Sequence, residues 1–390
     1  MTVFVTLMVT ASIVAMVARR FKLPYALALV VTGLAIGFWH LMPQAQLDPQ
    51  TLFTLFLPPL LFEASINLPG GQLRADWKPI GAFALVGTIL STGLVGAAVA
   101  WGFGIPLPVA LVFGALISPT DPISVIAVLK QLGVNPRLAL IVEAESLFND
   151  GVAVVVFLVL LGSAMGQDAT VLGVVGRFAW VMLGGIAVGG LVGWAASRAT
   201  KDFDDHLLEI MLTTIVAFGA YLLAEAMHVS GVIAVVAGGL VVGNYGMRTA
   251  MSEQSRVAVH AFWEYAAFVV NSIVFLLIGI QACQVAWWTH WELVLGATAA
   301  IMAARAICIY GLALPLKAVG AGLPPSWQHL LVWGSLRGAL SMALALGLPP
   351  AFPFREQVIS MTFGYVLFSL LAQGLTVGKL ITRLGLKAVI

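Results

Sequence analysis

Apolar residues run through this chain in thirteen blocks, separated by short stretches where proline, glycine and charged residues gather. A helix needs about 20 apolar residues to cross a bilayer, with a range of about 17–25. Blocks of that order lie at 2–18, 24–41, 50–66, 79–100, 107–131, 137–162, 174–196, 206–226, 229–246, 257–282, 292–314, 327–347 and 357–384. Each predicts a spanning helix, so the expected fold is an all-α polytopic membrane protein.

Two of the blocks are interrupted. The fifth contains GALISPTDPIS, with Pro119 and Pro122 around Asp121, and the twelfth contains WGSLRGALS around Arg337. The two interruptions are seven spans apart, an odd number. Two six-span halves about a lone seventh span would therefore be inverted copies. Paired broken helices at matching places in inverted halves point to a binding site near the midplane. Their freed N–H and C=O groups are tolerable at that depth only where they line a cavity or find partners. The glycine runs GGIAVGGLVGW and AGGLVVG read instead as places of close helix packing.

Composition strengthens the membrane reading. Hydrophobic residues make up 61% of the chain and charged residues 9%, where a soluble domain has about 25% charged. No polar stretch is long enough for a sizeable soluble domain. Cys283 and Cys308 give neither a disulfide framework nor a metal pattern. No GxxxxGK[ST] motif is present, so no nucleotide drive is expected, and the net charge of +2 calls for no nucleic-acid partner. Residues 3–18 could pass for a signal-peptide core. However, Arg19, Arg20 and Lys22 follow it rather than precede it, so it reads as the first span.

Fifteen of the nineteen basic residues then fall on one side. These are Arg19, Arg20, Lys22, Arg74, Lys78, Lys130, Arg137, Arg198, Lys201, Arg248, Arg256, Lys317, Lys379, Arg383 and Lys387. Only Arg177 and Arg355 fall on the other. By the positive-inside rule the N-terminus faces out and the C-terminus is cytoplasmic.

The chemistry resides in the few ionisable residues inside spans. A carboxylate at the bilayer centre costs roughly 2.5–3.5 kcal/mol on insertion scales, and Asp121 and Asp150 both sit near mid-span. In AESLFNDGVAVVVF, positions four apart share a helix face. Ser146 and Asp150 therefore lie together, with Glu145 and Asn149 as a neighbouring pair. Carboxylate, hydroxyl and amide oxygens are hard ligands suited to a small cation. The fifth span adds Thr120, Asp121 and the Ser118 carbonyl, whose helical partner Pro122 cannot supply.

Plainer readings stand beside these. A membrane Asp can simply tie helices together, and Thr120 and Ser146 can bond back to their own helices. Asn149 reads as a brace to the Asp121 crossover. Glu145 needs a cationic partner or a proton. Arg305 is favoured for it, leaving Arg337 to the acidic cluster or to free carbonyls of the broken helices. Glu63 either lines an entrance or is a solvated interfacial carboxylate. Glu209, Glu225, Glu264 and the six histidines read as span-end residues. Trp39, Trp77, Trp101, Trp287, Trp288, Trp291 and Trp327 read as an interfacial belt.

Four segments together resemble the sodium/proton antiporters of the NhaP/NHE type, in the monovalent cation:proton antiporter group. They are LPPLLFEASINLP at 57–69, SPTDPISVIAV at 118–128, ESLFNDGVAVVVF at 145–157 and GSLRGALSMALAL at 334–346. The resemblance covers almost the whole chain. It implies an NhaA-like antiporter fold and a homodimer in the plasma (inner) membrane. It also implies a scaffold and dimerisation domain at 1–66 and 206–282, a mobile ion-binding core at 79–162 and 292–384, and a linker helix at 174–196. The fifth and twelfth spans would cross at their unwound centres. Asp150 would be the shared carrier of ion and proton, assisted by Thr120, Asp121 and Ser146, with Glu63 reaching in from the scaffold. The chain stops soon after its last span, so the long cytoplasmic regulatory tail of the family is expected to be missing.

The activity implied is exchange of Na⁺ or Li⁺ for H⁺ with no cofactor, and K⁺/H⁺ exchange is the alternative. Asn149 beside Asp150, in place of a second Asp, implies electroneutral exchange. An intramembrane aspartyl protease would want a GxGD-like pattern, which is absent, and a channel would want a repeated filter segment.

Overall fold

The computed structural model describes residues 2–21, 24–42, 45, 48–166, 171–202, 204–285 and 287–387. Lys22, one of the residues used above to orient the chain, lies outside them. Every regular element among the described residues is a helix, with no strand.

The helices are α1 Thr2–Phe21, α2 Tyr25–Phe38, α3 at 49–67, α4 Trp77–Phe103, α5 in two halves (Leu107–Leu116 and Ile123–Gln131), α6 Pro136–Ala164 and α7 Val171–Ala199. They continue with α8 His206–Ala226, α9 Gly231–Thr249, α10 Glu253–Gln284, α11 Trp291–Ala318, α12 in two halves (Pro325–Trp333 and Ala339–Leu346) and α13 Arg355–Arg383. Among the described residues nine helices are long and apolar enough to cross a membrane by themselves, and α2 and the first half of α5 are shorter apolar helices.

Large apolar side chains stand outward on many of these helices, among them Trp101, Leu172 and Leu314. A chain that exposes so many such residues on long apolar helices has lipid, not water, as its solvent. Where the backbones come closest, small residues permit it. A Cβ on Gly33 of α2 would strike the Leu276 carbonyl of α10, and one on Gly279 of α10 would strike the Val30 carbonyl of α2. Such contacts are how helices associate where lipid removes the hydrophobic drive.

Two features depart from plain spanning helices. Wide π-type turns occupy 52–56, 82–87, 215–219, 242–246 and 369–373. No pattern in the sequence announced them. The interruption in α5 is also larger than one lost bond at Pro122. The first half closes with bonds from Ile117 to Phe113 and from Ser118 to Ala115, and helix resumes only at Ile123. The α12 break runs from Gly334 to Gly338.

Candidate functional site

The breaks in α5 and α12 cross each other. The Asp121 amide donates to the Leu336 carbonyl at 2.8 Å, joining the two unwound strands. The approach requires glycine at 338, because a Cβ there would overlap the Asp121 carboxylate. Each broken helix leaves a negative carbonyl end, at Leu116 and Trp333, and a positive amide end, at Ile123 and Ala339. Asp121 answers one positive end, since its Oδ1 accepts from the Ile123 amide at 3.1 Å.

Beside the crossing, α6 presents two faces. On one, Glu145 meets Arg305 of α11 in a two-pronged ion pair, with Nη1–Oε1 at 2.9 Å and Nη2–Oε2 at 3.1 Å. Arg305 also donates from Nε and Nη2 to the Leu331 carbonyl, near the carbonyl end of the first half of α12. Both residues are buried, and the pair ties α6, α11 and α12 together.

The other face borders a cavity of about 350 Å³. Glu63, Thr120, Asp121, Ser146 and Asp150 all line it. Five of the oxygen-bearing residues offered from sequence are thus brought to one space, whereas Ser118, whose carbonyl was also offered, does not line it. Asn149, Glu145, Arg305 and Arg337 do not line it.

The polar atoms of the cavity have particular roles. Ser146 donates from Oγ to the Thr120 carbonyl at 2.5 Å, so it bonds across to α5 and not back along its own helix. Its oxygen keeps a lone pair for a ligand. Asn149 donates to Thr120 Oγ1 at 3.3 Å and accepts from Thr88 Oγ1 of α4 at 3.1 Å. Both ends of its amide are used, which makes it a brace of the broken segment. Asp150 Oδ1 is inaccessible and has no hydrogen-bond partner. Ser341 Oγ, from the second half of α12, is in the same condition and also lines the cavity. Unsatisfied oxygens at such depth carry a desolvation cost that a bound cation, proton or water removes.

Arg337 sits in the α12 break, buried, with its amide donating to Ser369 Oγ at 3.1 Å. Its Nε and Nη1 have no partner, so the expected contact with the acidic cluster or with free carbonyls is not made through those atoms. The charged or titratable groups around it are Tyr365, Arg305, Glu145 and Asp150.

Glu63 accepts from Asn67 Nδ2 at 2.8 Å while facing the cavity. Two further cavity residues escaped the sequence reading. Glu143 lies on α6 with Lys130 and Glu63 at the same mouth, and Asn271 faces in from α10. Glu143 was detectable, because 143, 146 and 150 share a helix face. Glu209 stands in the first turn of α8, at the span end expected for it, and its side chain is buried there.

A family model, described as sodium/hydrogen exchanger, transmembrane, matches residues 7–383. The chain belongs to this exchanger family. It is similar to the Na⁺/H⁺ antiporter ApNhaP of Aphanothece halophytica, 42% identical over 94% of this chain and 70% of that one. It is also similar to the Na⁺/H⁺ antiporter NhaP of Pseudomonas aeruginosa, 37% identical over 86% of this chain and 81% of that one. The solved structure of the sodium proton antiporter MjNhaP1 from Methanocaldococcus jannaschii shares the exchanger's fold. The TM-score is 0.81 with 21% identity, covering 98% of both chains.

Proposed function

We propose that this exchanger moves Na⁺ against H⁺ across the membrane as a secondary antiporter, with Asp150 carrying either cargo. The observation that carries the reading is the unpartnered, inaccessible Oδ1 of Asp150 in a cavity that also holds Asp121, Ser146, Thr120 and Glu63. One carboxylate cluster that binds a proton or a cation, but not both, couples the two flows by competition. The relatives named above carry Na⁺/H⁺ in their names, and nothing in them favours the K⁺ alternative.

Thr120 contributes its carbonyl-anchored position, Ser146 and Ser341 contribute hydroxyl oxygens, and Asp121 holds the crossing. Glu63 and Glu143 draw cations to the mouth. No cofactor has a role in this scheme. The cavity wall from α5 includes Ile123, Ala127 and Lys130, all on one exposed helix face. Lys130 lies on the basic-loop side. The cavity then opens to the cytoplasm, with the N-terminus outside and the C-terminus inside the plasma membrane, for thirteen crossings in inverted repeats.

The same reading divides the chain into a scaffold (1–66 and 206–282), a mobile core (79–162 and 292–384) and the linker α7 (174–196), paired in a homodimer. Close backbone contact of α2 with α10 supports the first unit. The Asp121–Leu336 bond and the Glu145–Arg305 pair support the second. Asn149 as a brace leaves Asp150 as the sole titrating member of its pair, which favours one proton per cation and electroneutral exchange.

The test is cation-induced pH change in vesicles of purified protein. Na⁺ and Li⁺ should each move protons and K⁺ should not. A response to K⁺ alone would overturn the assignment of cargo. Valinomycin with K⁺ should leave the Na⁺ rate unchanged, and a marked acceleration would refute electroneutrality.

A further inference from the structure

A second cavity, of about 520 Å³, lies against the opposite side of α6. Phe148 and Val152 line it, whereas Glu143, Ser146 and Asp150 line the ion cavity, and on a 3.6-residue period these sets point in opposite directions. The remaining walls come from α4, α7 and α9, and they are almost entirely apolar. Representative residues are Ala84, Ile186 and Val236. Leu85 and Ile186 are also exposed on the outer surface, so the slot opens sideways to lipid.

One end of the slot is different. Arg74, on the short helix Gly70–Ala75, and Trp77, at the start of α4, stand at its mouth. Both are exposed, as is Lys78 next to them. The nearest carboxylate in sequence, Asp76, is already held by Arg137, which binds it through Nη2 at 2.6 Å and through Nε at 3.1 and 3.0 Å. Among the described residues no carboxylate pairs with Arg74. The arrangement is therefore an apolar slot in the membrane with an uncompensated guanidinium at the headgroup level and an indole beside it. Tryptophan settles at that level, and basic pockets between membrane helices bind anionic headgroups.

We propose that this slot is a binding site for one anionic phospholipid, its phosphate on Arg74 and one acyl chain lying between α4, α6, α7 and α9. The volume falls within the roughly 300–1,000 Å³ of small-ligand sites. A guanidinium presents its fork to phosphate oxygens as to a carboxylate. A zwitterionic lipid fills the slot with the same chain but brings an ammonium toward Arg74 and Lys78. The site therefore selects for net negative charge. Its position has a consequence that rests on the two-domain reading above. The walls belong to the core on one side (α4, α6) and to the linker and scaffold on the other (α7, α9). A chain seated there bridges parts that move past each other, so lipid charge sets the exchange rate.

Binding is tested apart from transport. The intact purified exchanger is titrated in detergent with phosphatidylglycerol or phosphatidylcholine of identical chains, and bound lipid is read by native mass spectrometry and by the shift in melting temperature. The wild type should retain one phosphatidylglycerol and melt higher with it, and should not do so with phosphatidylcholine. Arg74→Gln should lose that preference. Gly81→Phe should lose the lipid altogether, because Gly81 lines the slot and a Cβ there meets nothing within 4 Å. Both variants should keep wild-type Na⁺-driven proton movement in phosphatidylcholine vesicles, which reports a native fold. Equal retention of phosphatidylglycerol by the wild type and Arg74→Gln overturns the proposal, as does equal retention of the two lipids by the wild type. Should Gly81→Phe not fold, the Arg74→Gln comparison alone decides. Retained lipid selectivity with no Na⁺ response would instead count against the antiport reading and leave the lipid site standing.

Discussion

Glu145 and Asp150 sit little more than one turn apart on α6, and their surroundings could hardly differ more. Glu145 has both oxygens held by Arg305, whose remaining donors reach the Leu331 carbonyl, and it lines no part of the ion cavity. Asp150 keeps an inaccessible oxygen without a partner, and the nearby Arg337 leaves Nε and Nη1 unbonded. A buried charge that is fully paired fixes structure. A buried charge left unpaired costs stability, and a protein retains it where the vacancy is what the molecule uses. By this comparison the two carboxylates divide the labour on one helix: Glu145 holds the core together and Asp150 carries the cargo.

The sharpest way to break the comparison is to neutralise each carboxylate. Asp150→Asn keeps shape and removes the charge. Exchange should fall below detection while the melting temperature stays near wild type, measured on the purified protein and after reconstitution. Retained Na⁺-dependent proton movement would remove Asp150 as carrier. Glu145→Gln and Arg305→Leu should act the other way. Each leaves one buried charge uncompensated, at roughly 3–5 kcal/mol, so expression and melting temperature should drop. The double variant should recover both. A double variant as unstable as the summed singles would show that the ion pair is not what stabilises this face.

Smaller effects come from the crossing and the mouth. Gly338→Ala places a methyl against the Asp121 carboxylate. Overpacking of this kind costs about 1–3 kcal/mol, and the rate should fall further than stability does because the crossing itself is displaced. An unchanged rate would mean that the crossing tolerates shifts of this size. Glu143→Gln should raise the Na⁺ Michaelis constant by only a few fold, and less at high salt, as expected for a charge that concentrates cations without binding them tightly. An effect insensitive to salt would make Glu143 a direct ligand.

Much of this was legible in the chain itself. The apolar blocks predict the helices to within a few residues at most ends, since length and hydropathy leave little freedom in a bilayer. Proline and glycine around Asp121 and Arg337 mark the two breaks, and the i, i+4 spacing separates Ser146–Asp150 from Glu145–Asn149. The Glu145–Arg305 pair followed from having few partners to choose among. What stayed hidden depends on contacts between remote segments. Ser341 and Asn271 enter the cavity from α12 and α10 with no periodicity linking them to Asp150. The role of Gly338 appears only when the two broken helices cross. Arg337 makes no hydrogen bond through Nε or Nη1, which only the packing around the α12 break could reveal. Glu143 shares a face with Asp150, but that this end of the face borders the cavity depends on the helices packed around it. Glu209 does lie at a span end, but its burial there was not visible in the chain.

The central claim is that Na⁺ and H⁺ compete for one carboxylate site. The most direct test is the Na⁺ Michaelis constant of the reconstituted exchanger, measured across about three pH units with pH equal on both sides. Competition requires each cargo to weaken the other by the same factor, so the constant should rise toward roughly tenfold per pH unit on the acid side, while the rate at saturating Na⁺ changes much less there. A constant that stays flat while the maximal rate changes would contradict the account, and would place the controlling proton on a group other than Asp150.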